Sequence, residues 1–335
     1  MDIMVFEAED WETEACAALT PAHHLRCTID PLNQATAPLY GEAEIVTTFV
    51  DSRLDAATLS LLPKLRMIAT RSTGFDHIDL DYCAQRKIAV SNVPSYGDVT
   101  VAEHVFTLLL ALARNLVPTV EGARSGRFDQ SDLRGIDLYG KTIGVIGTGR
   151  IGRRVIAIAK GFGMEVVAAD LAPDAALGRE LGFTYAELSE LLRTADVISL
   201  NVPATASTRN LIGDTEFALM KPGAILINTA RGNVVEVDAL VRALTSGRLR
   251  AAGLDVLPQE PLMRDEAEIF RAAAPDAASV RELLANHILM SMPNVLVTPH
   301  VAYNTVEARR RIVETSIANI VAFAEGKPIN LVGAG

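Results

Sequence analysis

The chain has 335 residues, roughly twice the ~150-residue scale of an ordinary domain, so two domains with large buried cores are the expectation. Hydrophobic residues make up 49% and charged residues 21%, which excludes a disordered or fibrous chain. Lys plus Arg total 31 against 41 for Asp plus Glu, a net charge of −10 with no basic stripe, and this argues against a nucleic-acid partner.

The first hundred residues alternate short β-like runs with helical ones. Strands are expected at Ile3 to Phe6, Ile45 to Val50 and Leu65 to Thr70, and helices at Ala56 to Leu62 and Leu80 to Gln85, the rhythm of βα units on a parallel sheet. After the loop Asn92 to Asp98 comes a long apolar helix, Thr100 to Asn115, with Asp98 or Thr100 as its cap. It is apolar on nearly all sides, so burial between domains or subunits is expected. A second βα series has strands at Thr142 to Ile146, Glu165 to Ala169, Val197 to Leu200, Ala224 to Asn228, Leu249 to Asp255 and Val295 to Thr298. The connection from Leu262 to Met292 is unusually long; in it Val280, Leu283, Leu284, His287 and Ile288 fall on one helical face, which covers the site mouth or simply packs on the domain.

The first of these strands runs directly into Gly147-Thr148-Gly149-Arg150-Ile151-Gly152 and then a helix through Lys160. That is GxGxxG in the strand–turn–helix setting of a dinucleotide site: one glycine for the turn, one for close approach of a pyrophosphate, one for helix–sheet packing. The second strand ends at Asp170, 18 residues beyond Gly152. A carboxylate there accepts from ribose hydroxyls and repels a 2′-phosphate, and no Arg or Lys follows until Arg179, so NAD is expected over NADP.

Three later strands end at Arg231, Glu260 and His300. Ligands of open α/β sheets bind outside the carboxyl ends of the strands, so the trio is expected on one edge. Its chemistry suits a 2-hydroxy acid and its 2-oxo acid: histidine takes or gives the hydroxyl proton, a carboxylate favours the imidazolium, and arginine holds the substrate carboxylate and polarises the carbonyl. His104 reads as structural. His23, His24 and His287 have no ligand-like spacing, so no metal site is expected.

These stretches, with Arg71-Ser72-Thr73-Gly74-Phe75-Asp76-His77-Ile78-Asp79, Val101-Ala102-Glu103-His104, Asn201-Val202-Pro203, Asn228 to Gly232, Gly253 to Val256 and Thr298-Pro299-His300, resemble the D-isomer-specific 2-hydroxyacid dehydrogenases over nearly the whole chain. The resemblance implies an α/β fold of two doubly wound parallel-sheet domains. A Rossmann NAD-binding domain, 99–302, is inserted into a flavodoxin-like substrate domain, 1–98 and 303–335. It implies that Arg231 binds substrate and that Glu260 pairs with the acid/base His300, in a cleft whose closure excludes water. It further implies that the Thr73 and Gly74 amides hold the substrate carboxylate. Val202, Pro203, Thr208, Thr229, Ala230, Arg231 and Asp255 would line the NAD site with Gly147, Gly149, Arg150, Ile151, Gly152 and Asp170.

Tyr303 and Tyr96 resemble the substrate wall of the D-lactate dehydrogenase branch, although Thr73 stands where many members have Val or Ala and the stretch from Glu260 to His300 is long. Two alternatives stay open: a glyoxylate, hydroxypyruvate or bulky 2-oxo acid reductase, and an NAD-sensing regulatory protein. A homodimer is implied, with the helix from Thr100 in its interface. Cys16, Cys27 and Cys83 lie far apart without CxxC spacing, which fits a reducing compartment. The acidic opening MDIMVFEAEDWE does not read as a signal peptide, and Val105 to Ala113 falls well short of the ~20 residues of a bilayer span. A soluble, cytoplasmic protein is therefore expected.

Overall fold

Two parallel sheets organise the protein in a computed structural model that describes residues 1–129, 131, 133–260 and 277–333. The described chain divides into two compact units, Met1–Tyr96 with Asn304–Gly335, and Gly97–Tyr303.

In the first unit β1 (Asp2–Val5), β2 (His24–Cys27), β3 (Ile45–Thr48), β4 (Met67–Thr70) and β5 (Ala89–Ser91) pair in parallel in the order β2-β1-β3-β4-β5. β3 and β4 are buried at every position, as strands covered on both faces must be. Helices α1 (Asp10–Cys16), α2 (Ala56–Ser60) and α3 (Leu80–Arg86) connect them. α2 and α3 begin where Asp55 and Asp79 accept the amides of Thr58 and Tyr82. The expected elements here are present with ends shifted by a residue or two. β2, β5 and α1 went unread, because β2 is a half-exposed edge carrying His24 and Arg26, and β5 has only three residues.

The second unit holds β6 (Thr142–Ile146), β7 (Glu165–Ala169), β8 (Thr184–Tyr185), β9 (Val197–Leu200), β10 (Ala224–Asn228), β11 (Leu249–Leu254) and β12 (Val295–Val297). Their order is β12-β11-β10-β9-β6-β7-β8, all parallel. Strand order therefore reverses between β6 and β9, the switch point at which open α/β sheets form a ligand crevice. Four strands have the expected bounds. β11 and β12 stop one residue early, because Asp255 and Thr298 already belong to the loops beyond.

Helices α4 (Asp98–Ala113), α5 (Leu116–Arg124), α6 (Arg150–Gly161), α7 (Ala175–Leu181), α8 (Leu188–Thr194), α9 (Asp214–Leu219), α10 (Val237–Thr245) and α11 (Ala277–Ser291) complete this unit. α4 corrects one expectation. Gly97 is its N-cap and no side chain caps it; Asp98 lies inside the first turn. It packs on β10, β11, β12 and α6 of its own unit and exposes Val99, Glu103, Thr107 and Leu110. No single described helix is long and apolar enough to cross a membrane; α4 and α5 pass only as a pair bent by 61°.

α11 packs on α10 and β12 with a different face from the one expected. Leu283, Ala285, Asn286 and Leu289 are buried, whereas Leu284 is 61% and Ile288 47% exposed. On that buried face Asn286 Nδ2 donates to the Pro258 carbonyl at 2.7 Å, a polar contact hydrophobic periodicity does not register. Residues 261–276 of the long connection lie outside the described residues. α12 (Val306–Ala324), capped by Thr305, belongs to the first unit and packs on α1 and β4.

Candidate active site

The glycine loop sits at the switch point. Gly147 has φ +92°, and a Cβ on it would come within 2.6 Å of the Asn201 carbonyl, so turn and close packing both demand glycine. A Cβ on Gly152 would overlap the Gly147 carbonyl oxygen, so α6 lies directly against the loop. Gly149 differs: as the N-cap of α6 it has φ −65°, and a Cβ there would meet nothing within 4 Å. The protein's own packing leaves room beside it, at a helix N-terminus that favours anions. Arg150 is exposed near Asp98 at 4.0 Å, Ile151 is half-buried, and Arg153 Nε donates to the Thr148 carbonyl at 3.0 Å.

Asp170 closes β7. Its Oδ2 accepts the Thr148 amide at 2.7 Å and the Thr148 hydroxyl at 2.8 Å, and its Oδ1 accepts the Ala172 amide at 3.0 Å. Burial pushes its carboxyl up, but the Ala172 and Thr148 amides and the Thr148 hydroxyl outweigh this and hold it below its ordinary value. With its one proton given to Asp170, the Thr148 hydroxyl accepts from the Tyr185 hydroxyl at 2.9 Å. An ionised carboxylate offers about four acceptor positions, so a ribose hydroxyl can still be taken. Thr148, Arg153 and Tyr185 were missed in the sequence; Tyr185 lies on the two-residue strand β8, which no periodicity reveals.

Two buried atoms, Asn201 Oδ1 and Thr229 Oγ1, have no partner among the described residues. They lie at the carboxyl ends of β9 and β10, on one side of the switch point, and leave hydrogen-bonding capacity there that a ligand group can take. Ala230 is buried, Val202 half-buried and Pro203 exposed. The Thr208 hydroxyl donates to the Pro203 carbonyl at 2.6 Å and accepts the Thr205 amide at 2.8 Å, folding the loop upon itself.

The end of β10 delivers Arg231. The buried Asn228 side chain shapes that turn, accepting the Ala230 amide and donating to the Arg231 carbonyl, each at 3.0 Å. A Cβ on Gly232 would overlap the Leu257–Pro258 peptide, so the Arg231 turn lies directly on the loop carrying Glu260. Glu260 accepts the Leu257 amide through Oε1 at 3.0 Å, and its Oε2 meets His300 Nδ1 at 2.8 Å. Glu260 and His300 thus pair directly, and the Arg231 turn lies on the Glu260 loop in the same unit, with Arg231 Nη1 donating to the Ala230 carbonyl at 2.8 Å. Gln259 and His300 both have left-handed backbone, φ +58° and +54°, a conformation non-glycine residues hold only when their surroundings impose it. α11 braces the first of these turns, since Gln259 Nε2 donates to Glu282 at 3.0 Å beside the Asn286 contact.

Asp255 is 1% exposed. Its Oδ1 accepts the Thr298 hydroxyl at 2.6 Å and the Val301 amide at 2.9 Å, and its Oδ2 accepts the Ala302 amide at 2.9 Å. Burial pushes its carboxyl up, yet His104, Thr298 and those two amides bring it below its ordinary value. Asp255 thereby fixes the shape of the His300 loop. Tyr303 is half-buried three residues beyond His300.

In the first unit, the Ser72–Gly74 loop is braced by Asn92 Nδ2 on the Thr73 carbonyl and by the Thr73 hydroxyl on the Val93 carbonyl, each at 2.8 Å. The Thr73 and Gly74 amides meet no acceptor among the described residues. The Tyr96 carbonyl accepts Arg311 Nε and Nη2 at 3.0 and 2.7 Å.

Residues 106–302 match the family described as D-isomer specific 2-hydroxyacid dehydrogenase, NAD binding domain. The chain is 38% identical over 299 residues to a glyoxylate reductase of Aeropyrum pernix, covering 87% of this chain and 83% of that one. It is 37% identical over 331 residues to 2-hydroxyacid dehydrogenase homolog 1 of Schizosaccharomyces pombe, covering 97% and 96%. Among solved structures it is similar to the D-lactate dehydrogenase of Aquifex aeolicus complexed with NAD and lactic acid, with TM-score 0.88, 35% identity and 99% of each chain covered. The pyruvate reductase of Chlamydomonas reinhardtii follows with TM-score 0.86, 33% identity and 98% of each chain.

Proposed function

Because this chain belongs to the D-isomer-specific 2-hydroxyacid dehydrogenase family and uses NAD, we propose that it reduces pyruvate-sized 2-oxo acids to D-2-hydroxy acids, as a D-lactate dehydrogenase does. The observation that carries this reading is the 2.8 Å contact of His300 Nδ1 with Glu260, on loops packed against the Arg231 turn. NADH, when bound, supplies a hydride; the remaining work falls to side chains. With Nδ1 held by Glu260, His300 presents Nε2, which gives its proton to the substrate carbonyl oxygen as that carbon becomes tetrahedral. Glu260 stabilises the imidazolium before transfer, and Arg231, always charged, binds the substrate carboxylate and polarises the carbonyl. The Thr73 and Gly74 amides form a second donor set suited to a carboxylate. Gly147 to Gly152, Asp170, Asn201, Val202, Pro203, Thr229 and Ala230 hold the cofactor. Tyr96 and Tyr303 limit the substrate side chain.

A second reading, glyoxylate reduction, is supported by the Aeropyrum pernix relative and others of that name. A panel of pyruvate, glyoxylate, hydroxypyruvate and 2-oxoisocaproate with NADH separates them: kcat/KM highest for pyruvate supports the first reading, and highest for glyoxylate the second. Turnover of none of them supports the regulatory, NAD-sensing alternative. We further infer a homodimer through the exposed apolar face of Leu110, Leu116, Val117 and Val120 on α4 and α5, which light scattering on the purified protein tests. The three free cysteines support a reducing, cytoplasmic setting.

A further inference from the structure

We propose that His104, far from His300 in sequence, is a positioning residue for it: its Nε2 proton closes a chain, His104–Thr298–Asp255, that holds the left-handed turn on which His300 stands. The proposal rests on the acid/base reading of His300 and adds a residue that reading does not contain.

The proton directions follow from the contacts. His104 Nε2, on α4, lies 3.0 Å from Thr298 Oγ1 and 3.4 Å from Asp255 Oδ1. Asp255 is held in its ionised form by its donors and can only accept. Thr298, 2.6 Å from that carboxylate, must therefore give it the one proton its hydroxyl has. The hydroxyl can then only accept from His104, so Nε2 carries a proton. Asp255 in turn takes the amides of Val301 and Ala302 through its carboxylate, and that of His300 through its carbonyl at 2.9 Å. Three successive amides thus hang on one residue whose carboxylate His104 and Thr298 complete.

A left-handed backbone at His300 persists only while its neighbours impose it. Loss of the His104 donor leaves the Thr298 hydroxyl and the buried Asp255 short of a partner, the loop relaxes, and the contact of His300 Nδ1 with Glu260 is no longer fixed. Among the described residues, the other ionisable groups in contact with this turn are Asp255, beneath the amides, and Glu260, at Nδ1. A purely structural histidine would alter stability and leave the chemistry of the folded enzyme alone.

The test compares His104→Ala, His104→Gln, Thr298→Val and His300→Ala in the reduction of the best 2-oxo acid by NADH, with kcat, KM, the pH profile, NADH affinity by fluorescence, and Tm. His104→Ala should lower kcat about 10- to 100-fold, the cost of a misplaced catalytic group, while KM and the NADH Kd change by no more than about twofold. The alkaline limb of its pH profile should move to lower pH, because the pairing with Glu260 loosens. Gln, which keeps an N–H donor of similar reach, should recover most of the activity. Thr298→Val should behave like His104→Ala, and it decides the matter if the alanine variant does not fold. A folded His104→Ala with unchanged kcat and pH profile overturns the proposal, as does a folded Gln variant no better than Ala. If His300→Ala is itself unimpaired, the acid/base reading has failed rather than this one.

Discussion

Gly149→Ala and Gly152→Ala should fail in opposite ways. A methyl on Gly152 would lie 3.0 Å from the Gly147 carbonyl carbon and overlap its oxygen, so α6 must retreat on the order of 1 Å. Overpacking of this kind costs about 1–3 kcal/mol, and a loss of roughly 5 °C in Tm follows for a unit of this size. A methyl on Gly149 meets nothing within 4 Å, and its φ of −65° suits alanine, so the fold gives no reason for a Tm change beyond about 1 °C. Its methyl would instead occupy the space a pyrophosphate needs at the α6 N-terminus, weakening NADH binding by about tenfold or more, the equivalent of 1.4 kcal/mol. Differential scanning fluorimetry and NADH fluorescence titration read the two quantities independently. A Gly149→Ala protein that binds NADH normally would refute the assignment of that space to the cofactor.

The carboxylate of Asp170 should make NADH at least about tenfold better than NADPH, and Asp170→Ala should narrow the gap chiefly by improving NADPH turnover; equal use of both by the unaltered enzyme contradicts the ribose argument. Glu260→Gln keeps a hydrogen-bonding group but removes the charge 2.8 Å from His300 Nδ1, so reductive activity should fade at a lower pH than in the parent; an unchanged profile means the pair does not act in catalysis. Burial pushes the Cys16 and Cys83 thiols up to about 11 and also raises the half-buried Cys27. An aromatic disulfide at pH 8 should therefore label Cys27 first and the other two only on unfolding; fast labelling of all three in folded protein contradicts this.

What could be read from the chain beforehand was what local chemistry demands. Gly147 and Gly152 announce the switch point because the positive φ and the tight packing at those positions admit no side chain. Arg231, Glu260 and His300 could be placed on one edge because parallel strands all present their carboxyl ends to the same side. Contacts between distant residues left no such mark. Asp255 holds amides 46 and 47 residues further on, and His104 meets a hydroxyl 194 residues away. The left-handed turns at Gln259 and His300 depend on partners far along the chain, such as Glu282 for Gln259 and Asp255 for His300. α11 shows the same limit: its apolar stripe suggests one face, whereas the buried one carries Asn286, whose side chain donates to the Pro258 carbonyl.

The most direct test of the whole account is pre-steady-state and steady-state reduction of pyruvate by NADH in the parent and in His300→Ala, with NADH affinity measured in both. The account predicts that kcat falls by about 10²–10⁴, the usual loss on removing a general acid, while the NADH Kd stays the same and the parent's product is the D-hydroxy acid. A His300→Ala enzyme that keeps its kcat, or a parent that yields the L-hydroxy acid, would contradict it.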